Sequence, residues 1–217
     1  MKAKESLRMS QAAERQEAVR QDKDQSWLQE QLRIGMGGGR FPADSWLRQD
    51  ALAELYGVSR FVVRGALERL SESGAIEHVP HRGYRVRRWS HQERLELTEA
   101  RLVVELAMAP LMMARRTEPL MAPVRQACVQ FAAGEGDGEA MFLSNHAFHR
   151  ALAVLAGNRQ LADQMNWLRE QGMRGAGPGW PKAGGVERSI REHYAMVEAL
   201  DAGDIVGLQG VVQRHLT

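Results

Sequence analysis

Four of the seven histidines, His146, His149, His193 and His215, fall in the last third of this 217-residue chain. Imidazole nitrogens are ligands for first-row metals such as Zn²⁺ or Ni²⁺, provided that several converge on one point. Asn145 and His149 are four residues apart, which puts them on one face if the segment is helical. His193 and His215 lie in two later segments of helical pattern. Inward-facing side chains from three helices of a bundle can meet at one ion. His146 is three residues from His149, so a small shift of register would exchange their roles.

A second set of residues suits a different chemistry. Arg60 and Arg64 are one helical turn apart and follow Ser59, a strong N-cap residue. Such arginines reach guanine O6 and N7 or phosphate when their helix lies in the DNA major groove, and Ser59 with the first free N–H groups suits a phosphate. Arg48, upstream, is a candidate for backbone contact. His81, Arg82 and Gly83 sit in a turn that would touch phosphate or a minor groove. The alternative for all of these is an ordinary solvated charge.

These residues need elements to hold them. Residues 49–70 read as two short helices joined at Gly57, a helix-turn-helix whose second helix opens on Ser59. Leu47, Leu52 and Leu55 are assigned to the first of these helices, after a turn at Phe41-Pro42-Ala43-Asp44-Ser45. Gly74 ends the second. Ala75–Val79 and Tyr84–Arg87 alternate like strands around a Pro80-His81-Arg82-Gly83 tip, which predicts a winged helix. Trp27, Leu28, Leu32 and Ile34 form a short apolar stripe broken by Gly37-Gly38-Gly39. Ser90 caps the next segment, and helices are expected near 91–116, 119–133, 138–156, 159–172, 187–202 and 204–216. The Gly- and Pro-rich run between 172 and 185 is expected to be a mobile loop, with a lid as one use.

The fold class is therefore mainly α: a winged helix-turn-helix over 26–89 and an all-helical bundle over 90–217, after a polar arm at 1–25. Residues 26–89 carry ten Arg against seven acids, whereas 90–217 carry thirteen Lys and Arg against fifteen acids. That asymmetry suits a DNA reader followed by a different module. No apolar run is long enough for a membrane span, and the charged start is unlike a secretion signal. A lone cysteine, Cys128, excludes an internal disulfide and fits a reducing cytoplasm; its pattern places it in the core.

Leu52-Ala53, Gly57-Val58-Ser59-Arg60, Val63-Arg64, Ala66-Leu67, Leu70, Gly74 and the wing Pro80-x-Arg82-Gly83-x-x-Val86 together resemble the GntR family of bacterial transcription regulators. The helical remainder resembles the family's FadR-type FCD effector-binding domain, through Arg101-x-x-x-Glu105, Phe148-His149, Gly157-Asn158, His193 and His215. The resemblance implies a homodimer on a pseudo-palindromic operator and a small carboxylate effector. It also implies a metal held at the positions of Asn145, His149, His193 and His215, with Arg101 pairing to the effector. The other account of Arg101 is a surface pair with Glu105. This chain departs from the family pattern at several positions: Gly65 stands where Glu is usual, Asp50 where Arg is frequent, Pro42-Ala43 where Pro-Gly is usual, and Asn145 where the family has Asp. An amide oxygen is a neutral ligand, so Asn145 predicts weaker metal binding. A metal-free dimerisation domain is the alternative. An enzyme is not expected, because no Glu or Asp is seen beside the histidines to act as a general base.

Overall fold

A computed structural model describes residues 24–134, 138–174 and 185–217. The expected arm at 1–25, apart from its last two residues, and most of the 172–185 run lie outside these residues. The described residues divide into two compact units, one within 24–33 and 44–87 and the other within 34–43 and 88–217.

In the first unit, helix α1 (Gln25–Gly37) contributes Leu28 and Leu32 to the core. Helix α2 (Gln49–Tyr56) ends at Gly57, which adopts φ 64° and ψ 40°. That left-handed conformation, easy only for glycine, lets the chain reverse and start helix α3 (Arg60–Glu72). Ser59 caps α3, its hydroxyl accepting from the Val62 N–H at 3.3 Å. Val63, Ala66, Leu67 and Leu70 form the buried stripe of α3 and meet Leu52 of α2 in one core.

The wing contains an additional strand. Strand β1 (Trp46–Leu47) pairs antiparallel with β3 (Gly83–Val86), which also pairs with β2 (Ile76–Val79), giving the order β1-β3-β2. Leu47 therefore belongs to a strand and not to α2. Pairing with Tyr84 buries it to 3% exposure, which outweighs its weak fit to a helical stripe. At the tip the Arg82 N–H donates to the Val79 carbonyl, with Pro80 second and His81 at φ 60° third. Proline followed by a positive φ is the signature of a type II turn.

The second unit is helical. Helix α4 (His91–Arg115) starts with a capping box in which Ser90 and Glu93 satisfy each other's backbone N–H groups. There follow α5 (Glu118–Ala133), α6 (Gly138–Leu155), α7 (Arg159–Arg174), α8 (Gly185–Ala202) and α9 (Ile205–Leu216). Helix α4 packs against α6, α7 and α9, α5 packs against α6 and α8, and α9 lies along α8. Met108, Phe148, Leu155, Met165, Met196 and Leu200 fill the shared core, and Cys128 is buried with them. The helical spans predicted from sequence differ from these by two residues or fewer at each end.

Candidate nucleic-acid interface and metal centre

The exposed face of α3 carries the charges. Arg60 and Arg64 are largely exposed, while the opposite face of the helix is buried. Asp50 does not leave Arg60 alone: its carboxylate sits 2.8 Å from the guanidinium. Arg64 has Glu68 one turn away at 3.7 Å. Exposed pairs of this kind contribute little stability, so either arginine can exchange its carboxylate for a phosphate or a base at small cost. At Gly65 a Cβ would come within 2.2–2.5 Å of the Gln25 carboxamide, the end of a flexible side chain of α1 that would have to turn aside.

Trp46, which sequence reasoning passed over, organises the wing. The guanidinium carbons of Arg82, Arg48 and Arg85 lie 4.8, 5.3 and 5.8 Å from its ring centroid. Arg48 also donates to the Arg82 carbonyl at 3.4 Å. An aromatic face holds cations by its quadrupole, so one ring keeps three arginines from straying. Glu77 takes up Arg85 as an ion pair, leaving Arg48 and Arg82 as the exposed members. His81 is exposed at the tip beside them. The signal in the sequence was the strand-compatible Trp46-Leu47 directly before Arg48.

The second unit gathers the histidines. One ligand atom from each of His149, His193 and His215 lies within 4.8 Å of the others. Their ring centroids form a triangle with sides of 4.9, 5.1 and 5.2 Å. His149 comes from α6, His193 from α8 and His215 from α9. Phe148 stacks on His193 at 4.1 Å, with Phe131 at 4.7 Å, so aromatic walls fix that ring. Among the described residues, both ring nitrogens of His149 and of His193 are buried without a hydrogen-bond partner, and so is the Asn145 Oδ1. Burial pulls His149 and His193 well below the usual imidazole pKa; nearby positive groups, Arg169 and other histidines of the cluster, lower them further. Neutral imidazoles with free lone pairs are the form a metal requires.

His215 is held differently. Its Nδ1 lies 2.8 Å from Glu192, which also accepts from Arg188. Burial raises the carboxyl of Glu192, but the hydrogen bonds from Arg188 and His215 outweigh it and keep the group ionised. An ionised carboxylate only accepts, so Nδ1 carries the proton and Nε2 keeps its lone pair. A carboxylate therefore does lie beside the histidines, contrary to the sequence expectation. Two helices, α8 and α9, had to pair to bring it there. It is committed to Arg188 and to Nδ1, the ring nitrogen that Nε2 opposes. His146 stays outside the cluster and stacks on Phe142; burial, then Arg169 and Arg150, lower its pKa to about 4.

Arg101 does not form a surface pair. Its Nε and Nη2 donate to Glu105 Oε1 at 3.0 and 2.9 Å, and the two side chains are only 18% and 6% exposed. Arg169 of α7, also missed by sequence reasoning, approaches the same oxygen at 3.7 Å.

Three converging imidazoles with free lone pairs have the chemistry of a transition-metal site. Residues 96–217 match the FCD domain, and residues 26–86 match the bacterial regulatory proteins of the gntR family. The chain belongs to the GntR family. It is a DNA-binding transcription regulator with an FCD effector-binding domain. Over 196 residues it is 28% identical to the HTH-type transcriptional regulator LutR of Bacillus subtilis, covering 81% of this chain and 90% of that one. Its fold is that of E. coli McbR/YncC (TM-score 0.72, 21% identity, 88% of this chain and 92% of that one). A GntR-type regulator from Rhodococcus sp. RHA1 gives a TM-score of 0.70 at 21% identity, with 88% and 93% of the two chains covered. In this GntR protein, among the described residues, no helix is long and apolar enough to cross a membrane.

Proposed function

We propose that this regulator binds its operator as a homodimer in the cytoplasm and is controlled by a small organic acid held in the FCD domain through a divalent metal ion. Operator contact is assigned to Arg60 and Arg64 in the major groove, to Ser59 and the α3 N-terminus on phosphate, and to Arg48, His81, Arg82 and Gly83 at the wing. Two copies are needed because one module reads too few bases for useful specificity.

The observation that carries the effector reading is the set of buried, unpartnered polar atoms on Asn145, His149 and His193 beside the Glu192-oriented His215. Leaving a buried polar group unsatisfied costs roughly 1–3 kcal/mol, and a ligand removes that cost. Asn145, His149, His193 and His215 would hold the ion, which supplies a Lewis-acidic point charge with coordination positions open to a carboxylate. All four ligands are neutral, so the whole charge of the ion is left to attract an anion. The site then binds and does not catalyse, because Glu192 is already engaged. For the effector to regulate, it must bind the DNA-competent and DNA-incompetent states with different affinity.

Metal analysis of the purified protein tests this first. A thermal-shift series with small carboxylates, with and without a chelator, and a gel shift under the same conditions complete the test. One metal per chain, carboxylate stabilisation abolished by chelation and an altered gel shift are expected. Metal-free protein indifferent to added Zn²⁺ and Ni²⁺ would instead favour the reading that Asn145 suggests, a dimerisation domain that has lost its ion.

A further inference from the structure

Arg169 is only weakly paired where it stands. The residue is 5% exposed, and its Nε and Nη1 are buried without hydrogen-bond partners among the described residues. The carboxylate facing it is Glu105, which stands 3.7 Å away, beyond hydrogen-bonding reach. Glu105 Oε1 is already occupied by two donors of Arg101. One carboxylate thus serves two guanidiniums, and a full positive charge is left over in the interior. Even with its pKa lowered by burial and by Arg101 to about 9, the group is cationic at neutral pH.

A buried cation whose one carboxylate is shared and lies beyond hydrogen-bonding distance is a costly feature for a fold to hold. It persists where something else completes it. Helix α7, which bears Arg169, packs on α4 and on α6, the helices of Arg101 and of His149. The weakly paired guanidinium therefore belongs to the same interior as the unpartnered imidazoles. We propose that Arg169, with its unsatisfied Nε–H and Nη1–H, is the group that receives the effector's carboxylate, while Arg101 is retained by Glu105 as a positioning residue. This rests on the effector reading above and names the cation within it. Nε–H and Nη1–H open on different edges of the Arg169 guanidinium, so a carboxylate would take a charge-assisted bond at one edge and leave the other to a second acceptor. Arg101 has spent its Nε and Nη2 donors on Glu105.

The assignment makes an unusual demand on stability. If Arg169 served the fold, removing it would destabilise the protein. If it awaits a ligand, removing it relieves an unpaired charge. The test uses the full chain loaded with Zn²⁺ and titrated calorimetrically with acetate, malonate and succinate, alongside thermal melts of the metal-free form. For Arg169→Met, the metal-free melting temperature should stay level or rise by a few °C. Zn²⁺ affinity, measured by chelator competition, should change by less than about threefold, and carboxylate affinity should fall at least about tenfold. Arg169→Lys keeps the charge but not the fixed planar donors of the guanidinium, and should also lose about tenfold. Arg101→Met should lose less than either. A metal-free Arg169→Met that melts several degrees lower or fails to fold overturns the proposal, as does an Arg169→Lys that binds like the parent. So does an Arg101→Met that loses more than the Arg169 variants. If the Zn²⁺-loaded parent binds no carboxylate, the effector reading fails first and takes this assignment with it.

Discussion

The two units keep their functional charges in opposite states. On α3 and the wing, Arg60, Arg64, Arg48 and Arg82 lie in solvent, each paired loosely or leaning on Trp46. In the helical unit, His149, His193, Asn145 and Arg169 are buried, and each has polar atoms with nothing to bond. A solvated arginine costs the fold almost nothing while it waits for a polyanion, because water satisfies it. A buried imidazole or guanidinium costs stability until its ligand arrives. Binding in the first unit should therefore leave stability nearly unchanged and be salt-dependent, whereas binding in the second should raise the melting temperature and resist salt.

Four substitutions break or sharpen that contrast. The largest effect is expected from His193→Ala, which removes a ligand walled in by Phe131 and Phe148. Zn²⁺ affinity should drop at least about 100-fold, and the metal-induced rise in melting temperature should vanish. A surviving rise would remove His193 from the site. Arg64→Ala comes next, with a loss of about 1–3 kcal/mol in operator affinity and an unchanged melting temperature. Unaltered gel-shift affinity would return Arg64 to the status of a surface charge. Asn145→Asp is smaller: a charged ligand should tighten Zn²⁺ about tenfold and weaken carboxylate binding, because the ion's charge is partly cancelled. Calorimetry showing both affinities unmoved would exclude position 145 from the ion. Asp50→Asn is the mildest. Freeing Arg60 and deleting one acid should raise DNA affinity about two- to fivefold at low salt, fading near 0.5 M as screening sets in. A salt-independent gain would mean a rearranged helix pair instead of altered charge.

Much of the architecture was legible because it is local. Ser59, Gly57, Gly74 and Ser90 act within four residues of themselves, and the period of Val63, Ala66, Leu67 and Leu70 needs no partner to be read. The histidines were legible through their family positions, and His149, His193 and His215 do converge. What escaped detection was nonlocal. Glu192 touches His215 across 23 residues of sequence, and Arg169 reaches Glu105 from a helix sixty-odd positions away. Nothing in the Leu168-Arg169-Glu170 neighbourhood distinguishes a buried guanidinium from a surface one. Leu47 was misassigned for the same reason: a two-residue strand exists only because β3 accepts it. Gly65 reads as a helix defect in the sequence, and in the fold the Gln25 carboxamide lies where its side chain would be.

The depth of the triad also bears on time. His193 and His149 are 0% and 1% exposed, so an ion bound to both would leave slowly, since releasing these two ligands needs packed helices to part. Such openings are rare events drawn from the stable end of a protein's motions. An ion held there would outlast many encounters with DNA and with effector. It would then be a standing component of the regulator rather than a signal, and the quantity the cell reports through this protein would be the acid and not the metal.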